Sequence, residues 1–146
     1  MQYPKVAVIG LGFMGRTHSQ TLRRLGIEVY GIGGISDDEA KNAAQELVIP
    51  KWCRSFDEAV ADNDIKVVHL FTPNNLHFQQ AKKALEMGKH VLCEKPLAMT
   101  PNESRELAAW LKRKTWSPLL TITCGFIQFA RKLVPEFWTA TLAPLI

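Results

Sequence analysis

The stretch KVAVIGLGFMGRTHSQ, Lys5–Gln20, decides how the rest of the chain is read. Its first half is a short β-branched apolar run that stops at a glycine, the pattern of a strand buried on both faces. Gly12 to Leu25 then reads as a helix, closed by Gly26. Between the two, Gly10, Gly12 and Gly15 stand in G-x-G-x-x-G spacing. Gly10 permits a tight turn, Gly12 lets backbone approach a pyrophosphate, and Gly15 allows helix and sheet to pack closely. The helix that follows turns its unpaired N–H groups toward the same point.

The alternation continues downstream. IEVYGIG reads as a second strand, and SDDEAKNAAQEL as a helix capped by Ser36 or Asp37 with acids in its first turn. KWC is a short third strand, SFDEAVAD a brief capped helix, and IKVVHLFT a fourth strand. NLHFQQAKKALEMG is a helix ending at Gly88, KHVLCE a fifth strand, and TPNESRELAAW a helix with Thr100 as N-cap and Pro101 at its first position. Strand alternating with helix implies α/β architecture: a Rossmann-type, doubly wound parallel sheet in a single domain.

Composition excludes several functions. The chain has 146 residues and a net charge of +4, but residues 1–109 hold 13 basic against 13 acidic side chains. The excess lies in residues 110–146, with 5 against 1, so no basic face is left to bind nucleic acid. Cys53, Cys93 and Cys124 are far apart, without metal-ligand spacing, and read as reduced structural thiols of a cytoplasmic protein. The longest apolar run of the tail, PLLTITCGFIQFA, is too short to span a bilayer.

Three further motifs fall at carboxyl ends of strands, where an open parallel sheet opens its ligand crevice. The second strand ends in GIGGIS, with Gly34 where a dinucleotide fold usually carries an acid for the adenosine ribose. With no carboxylate there and Ser36 able to donate to a 2′-phosphate, the expectation tilts from NAD toward NADP. The fourth strand ends in TPNNLH, Thr72–His77, which also serves as a turn and helix cap. The fifth ends in CEKPLAMT. An isolated Glu-Lys pair is ordinarily solvated, but after an apolar strand Lys95 is expected to be buried beside Glu94, with Pro96 fixing the turn. A lysine there can exchange a proton with a reacting oxygen. His69, inside the fourth strand, reads as a core residue, and His18 and His90 receive no role.

Taken together, VIGLGFMGRTHSQ and VVHLFTPNNLHFQQAKKALEMGKHVLCEKPLAMT resemble the N-terminal dinucleotide domain of the glucose–fructose oxidoreductase/inositol dehydrogenase (Gfo/Idh/MocA) family, over about residues 3–109. The resemblance implies an NAD- or NADP-dependent oxidoreductase of sugars, inositols and polyols. It implies that Gly10, Gly12, Phe13 and Met14 line the pyrophosphate and that Thr72, Pro73, Asn74 and His77 lie along the cofactor. Glu94 would hold the nicotinamide ribose and Lys95 would reach the substrate oxygen.

Beyond residue 109 the likeness stops. The family continues into a sixth strand and a substrate domain carrying an Asp and a His, yet this chain has no Asp after Asp64 and no His after His90. Codons for KRKTWS can be chosen so that the frame starting at each third base reads AKNLV, a family-like entry to the sixth strand. We therefore read residues 110–146 as out-of-frame translation and the chain as a truncated dinucleotide-binding domain, inactive alone because a sugar or polyol needs the second domain. The competing reading is a non-catalytic nucleotide-binding module whose apolar tail docks a partner. In either case LLTITCGF has the composition to lie as a strand beside the fifth.

Overall fold

The computed structural model describes residues 3–113 and 120–123. Strands and helices alternate: β1 Val6–Ile9, α1 Phe13–Arg24, β2 Val29–Gly33, α2 Asp37–Glu46, β3 Lys51–Trp52 and α3 Phe56–Ala61. They continue as β4 Val67–Leu70, α4 Asn74–Glu86, β5 His90–Glu94, α5 Pro101–Lys112 and β6 Leu120–Thr123. Among the described residues the strands form one six-stranded sheet in the order β3-β2-β1-β4-β5-β6, with every pairing parallel. The order reverses between β1 and β4, and the crevice of a doubly wound sheet opens at that point.

The apolar side chains of the sheet divide between two cores, by period-two alternation in β1, β4 and β5 and across a register shift in β2. Ala7, Ile9, Val68, Leu70, Val91 and Cys93 face one side, where they meet Val60, Ile65, Ala81, Leu85 and Leu107. Val6, Val8, Val29, Ile32 and Val67 face the other and meet Leu22, Ala40, Ala43 and Leu47. β1 and β4 are buried along their whole length, as the continuous apolar runs require. β5 alternates instead: Val91 and Cys93 are buried while His90, Leu92 and Glu94 are half-buried.

Three helices start with the same device. Ser36, Ser55 and Thr100 each accept a hydrogen bond from the backbone N–H three residues on, at Glu39, Glu58 and Glu103. Each glutamate reaches back to a backbone N–H ahead of its helix: Ile35, Arg54 and Met99. A Ser/Thr-x-x-Glu spacing thus satisfies donors that a helix start leaves unpaired. Gly26 and Gly88, at φ +75° and +76°, end α1 and α4.

One boundary differs from the sequence reading, and the strand expected beyond it is present. α5 runs through Lys112, so a division at residue 109 falls inside a helix whose last turn packs Trp110 and Leu111 on the core. β6 pairs in register with β5, Leu120 beside Val91 and Thr123 beside Glu94, within the LLTITCGF stretch. The apolar docking tail of the competing reading lies, past Thr123, outside the described residues.

Candidate functional site

The three glycines of the first crossover are glycines for three different reasons. Gly10 has φ +98°, and a Cβ there would meet the carbonyl carbon and oxygen of Phe71 at 2.4 Å. The backbone after β1 therefore lies directly against the backbone after β4. A Cβ on Gly15 would stand 1.8 Å from the Gly10 carbonyl oxygen, which closes α1 onto the turn. Gly12 is unlike both. Its φ is −65°, which any residue adopts, and a Cβ there would meet nothing within 4 Å. Neither strain nor packing within the described residues calls for glycine at Gly12. It caps α1 without a side-chain hydrogen bond, and the first turn of that helix carries no acid. Bare backbone at an uncapped helix start, with room above it, fits an anionic group such as a pyrophosphate. Phe13, 82% exposed, and Met14 flank it.

The loops after β4 and β5 form the opposite wall, and a histidine ties them together. His77, on α4, is fully buried, with Nδ1 2.7 Å from the Pro96 carbonyl oxygen and Nε2 2.7 Å from that of Thr72. Expected to lie along the cofactor, it stands behind the two loops that would. Thr72 Oγ1 donates to Gln80 Oε1 at 2.6 Å, while Pro73 and Asn74 lie exposed at the loop and the start of α4. At the end of β5, Glu94 Oε1 accepts from the Lys95 N–H at 2.9 Å. Its Oε2 is buried and has no hydrogen-bond partner among the described residues. A buried carboxylate oxygen calls for a donor, and a ribose hydroxyl is a suitable one. Lys95 is exposed, contrary to the expected burial, because it lies past the end of β5, where Pro96 is exposed as well.

The end of β2 holds a carboxylate after all. A Cβ on Gly34 would lie 2.5 Å from Glu39 Oε2, so the side chain of Glu39 fills the space a residue at 34 would use. That oxygen accepts from the Ile35 N–H at 2.7 Å. Ser36, expected as a possible donor to a phosphate, caps α2 by accepting from the Glu39 N–H at 3.2 Å, which leaves its O–H to donate. The sequence reading missed Glu39, although its signal, the Ser36-x-x-Glu39 spacing, was legible.

Beside the crevice, His18 on α1 stacks against Phe71 at 4.5 Å between ring centroids and stands 6.2 Å from His69. Burial pushes the His69 imidazole down to about 3, with His18 adding to the shift, and its Nδ1 has no hydrogen-bond partner among the described residues. Burial also lowers His18, opposed by the Glu94 carboxylate. His69 is thus a neutral core residue, in keeping with its place inside a strand. The Cys53 and Cys93 thiols are buried, pushed up to about 11 and about 12 chiefly by desolvation. Among the described residues no three His, Cys, Asp or Glu side chains gather as metal ligands, and no helix is long and apolar enough to cross a membrane.

Residues 4–117 match the sequence model of the oxidoreductase family with an NAD-binding Rossmann fold, GFO_IDH_MocA. The chain is 34% identical over 123 residues to levoglucosan dehydrogenase of Pseudarthrobacter phenanthrenivorans, covering 78% of this chain and 32% of that one. It is 33% identical over 110 residues to scyllo-inositol 2-dehydrogenase (NAD(+)) of Bacillus subtilis, covering 74% and 32%. A solved levoglucosan dehydrogenase in complex with NADH and levoglucosan superimposes with a TM-score of 0.72 at 32% identity, over 82% of this chain and 35% of that one. The chain thus spans about a third of the length of these relatives.

Proposed function

The chain belongs to the Gfo/Idh/MocA oxidoreductase family, in its NAD-binding Rossmann domain, and from that premise we propose that it holds a nicotinamide dinucleotide across the β1/β4 crevice for hydride transfer to or from a sugar, inositol or related polyol. The observation that carries the reading is Gly12. Space above a glycine that needs neither φ nor packing freedom suits a ligand that requires close approach to backbone.

The bound dinucleotide would supply the hydride chemistry, and the protein the orientation and the proton handling. The N–H groups at the start of α1 and the Gly10–Gly12 backbone would hold the pyrophosphate, with Phe13 and Met14 at its flank. Thr72, Pro73 and Asn74 would run along the cofactor. His77 supports that loop and the Pro96 turn from behind through its two carbonyl contacts. Glu94 Oε2 would accept from a hydroxyl of the nicotinamide ribose. Lys95, next along the turn, would approach the substrate oxygen and exchange a proton with it as the hydride moves. Its present exposure accords with a group that reaches outward to a substrate lying on the crevice.

Turnover by this chain alone should be negligible, since a crevice left open on its substrate side neither orients a polyol nor excludes water. For residues 110–146 the proposal stays out-of-frame translation, and a gene whose shifted frame meets an early stop overturns it. The decisive experiment for binding is a titration of the purified chain with NADH, followed by nicotinamide fluorescence. Saturable enhancement, displaced by NAD, is expected. A flat titration at millimolar nucleotide would sink the proposal, and dehydrogenase rates matching a full-length relative would sink the claim of inactivity.

A further inference from the structure

We propose that Glu39 is the residue that selects the cofactor, and that it selects NAD over NADP. The inference rests on the dinucleotide reading above and adds to it the determinant of which nucleotide enters. In a dinucleotide fold the end of β2 meets the adenosine ribose, and an acid there accepts from the ribose hydroxyls. This chain has Gly34 at the strand end, where a side chain can offer nothing. The structure fills the same space from another direction, by folding Glu39 back from the first turn of α2 until Oε2 lies 2.5 Å from the Cβ position of residue 34. Glycine at 34 and glutamate at 39 are therefore complementary: any side chain at 34 would collide with the carboxylate.

The chemistry of that carboxylate suits two hydroxyls and opposes a phosphate. Ile35 N–H occupies one acceptor direction of Oε2 at 2.7 Å. An ionised carboxylate has about four acceptor directions, so enough remain for the 2′- and 3′-hydroxyls of a ribose. A 2′-phosphate would bring up to two negative charges against it. The neighbouring cations are committed elsewhere. Arg16 pairs with Glu46 at 2.6 Å and donates to the Leu11 carbonyl, while Arg54 pairs with Glu58. Asp37 and Asp38, in the first turn of α2, add to the negative field.

Glu39 also accepts a backbone N–H ahead of its helix, as Glu58 and Glu103 do at α3 and α5. A capping role alone predicts no effect on nucleotide choice, and that difference makes the proposal testable. The whole chain is titrated with NADH and with NADPH at low salt, as the unmodified protein, as Glu39→Gln and as Glu103→Gln. Glutamine can still accept from Ile35 N–H, so Glu39→Gln removes the charge and keeps the cap. NADH should bind roughly tenfold or more tighter than NADPH, as expected for a dianion beside a carboxylate in hydrated surroundings. Glu39→Gln should bring the two affinities within about threefold of each other, and Glu103→Gln should leave the ratio where it was. In the unmodified protein 1 M salt should narrow the ratio as well, so the test stands even if the variant folds poorly. Equal binding of both nucleotides by the unmodified chain, or a ratio that Glu39→Gln does not move, overturns the selectivity. Binding of neither nucleotide overturns the dinucleotide reading itself.

Discussion

The two walls of the crevice are built on opposite principles. The first crossover, Gly10–Gly15, is shaped by what is missing: two glycines let three stretches of backbone touch, and a third leaves space. The turns after β4 and β5 are shaped by polar side chains, with His77 bridging two carbonyls and Glu94 folded onto its neighbour's N–H. A wall made by close backbone contact admits no partial failure, because a carbonyl oxygen cannot move aside as a side chain can. A wall tied by hydrogen bonds weakens by degrees. The difference teaches which substitutions unfold the chain and which only blunt its site.

The largest effect belongs to the steric wall. Gly15→Ala sets a methyl 1.8 Å from the Gly10 carbonyl oxygen and should cost about 3 kcal/mol or more, enough to abolish a cooperative thermal transition. A variant melting within a few degrees of the parent would break the comparison. His77→Ala comes next. It empties a fully buried site and removes the ring that contacts the Thr72 and Pro96 carbonyls, for a loss of about 2–4 kcal/mol in urea unfolding. If dinucleotide affinity fell no further than stability explains, the histidine would not be supporting the binding loops.

A smaller effect is a dependence on pH. His69 is held neutral in the folded protein, with its imidazole pushed from 6.5 to about 3, so below 6.5 the unfolded chain takes up a proton that the folded one refuses. Stability should be full above pH 6.5 and fall as pH drops from there toward about 3. His69→Leu should flatten part of that slope in melts at successive pH values, and an unchanged slope would assign it to other groups. The smallest effect on the fold is expected at Gly12. Gly12→Ala should change stability by no more than about 0.5 kcal/mol, since its Cβ meets nothing. It should still weaken NADH binding at least about tenfold by crowding the backbone approach. Affinity unchanged in that variant would show the space to be incidental.

Much of this molecule is legible along the chain. The strands end where β-branched runs meet glycine, as at Ile9 and Gly33, and the helices begin at Ser36, Ser55 and Thr100, where a hydroxyl precedes a glutamate by three residues. The helix–strand order then leaves little choice of sheet, because parallel strands need right-handed crossovers. Even β6 follows, since an apolar stretch after α5 has an open edge of β5 to pair with. What stayed hidden are contacts that depend on which way a side chain turns. Gly34 looked like a strand end without an acid, although Glu39 supplies one from the next helical turn. His77, expected along the cofactor or as a plain helix-face residue, is buried beneath the loops of Thr72 and Pro96. Lys95 was expected to be buried and is exposed.

By itself the sequence determined the parallel α/β frame, the glycine turn at its first crossover and the motifs lined up at the carboxyl ends of its strands. Those depend on periodicity and local backbone preference, which act over a few residues and can be read in order. Only the tertiary structure decided that a carboxylate stands at the end of β2, that one histidine joins the loops of Thr72 and Pro96, and that Gly12 alone of the three turn glycines faces open space. Those facts are distances between groups brought together by the fold, and a distance across a crevice has no counterpart in the order of residues.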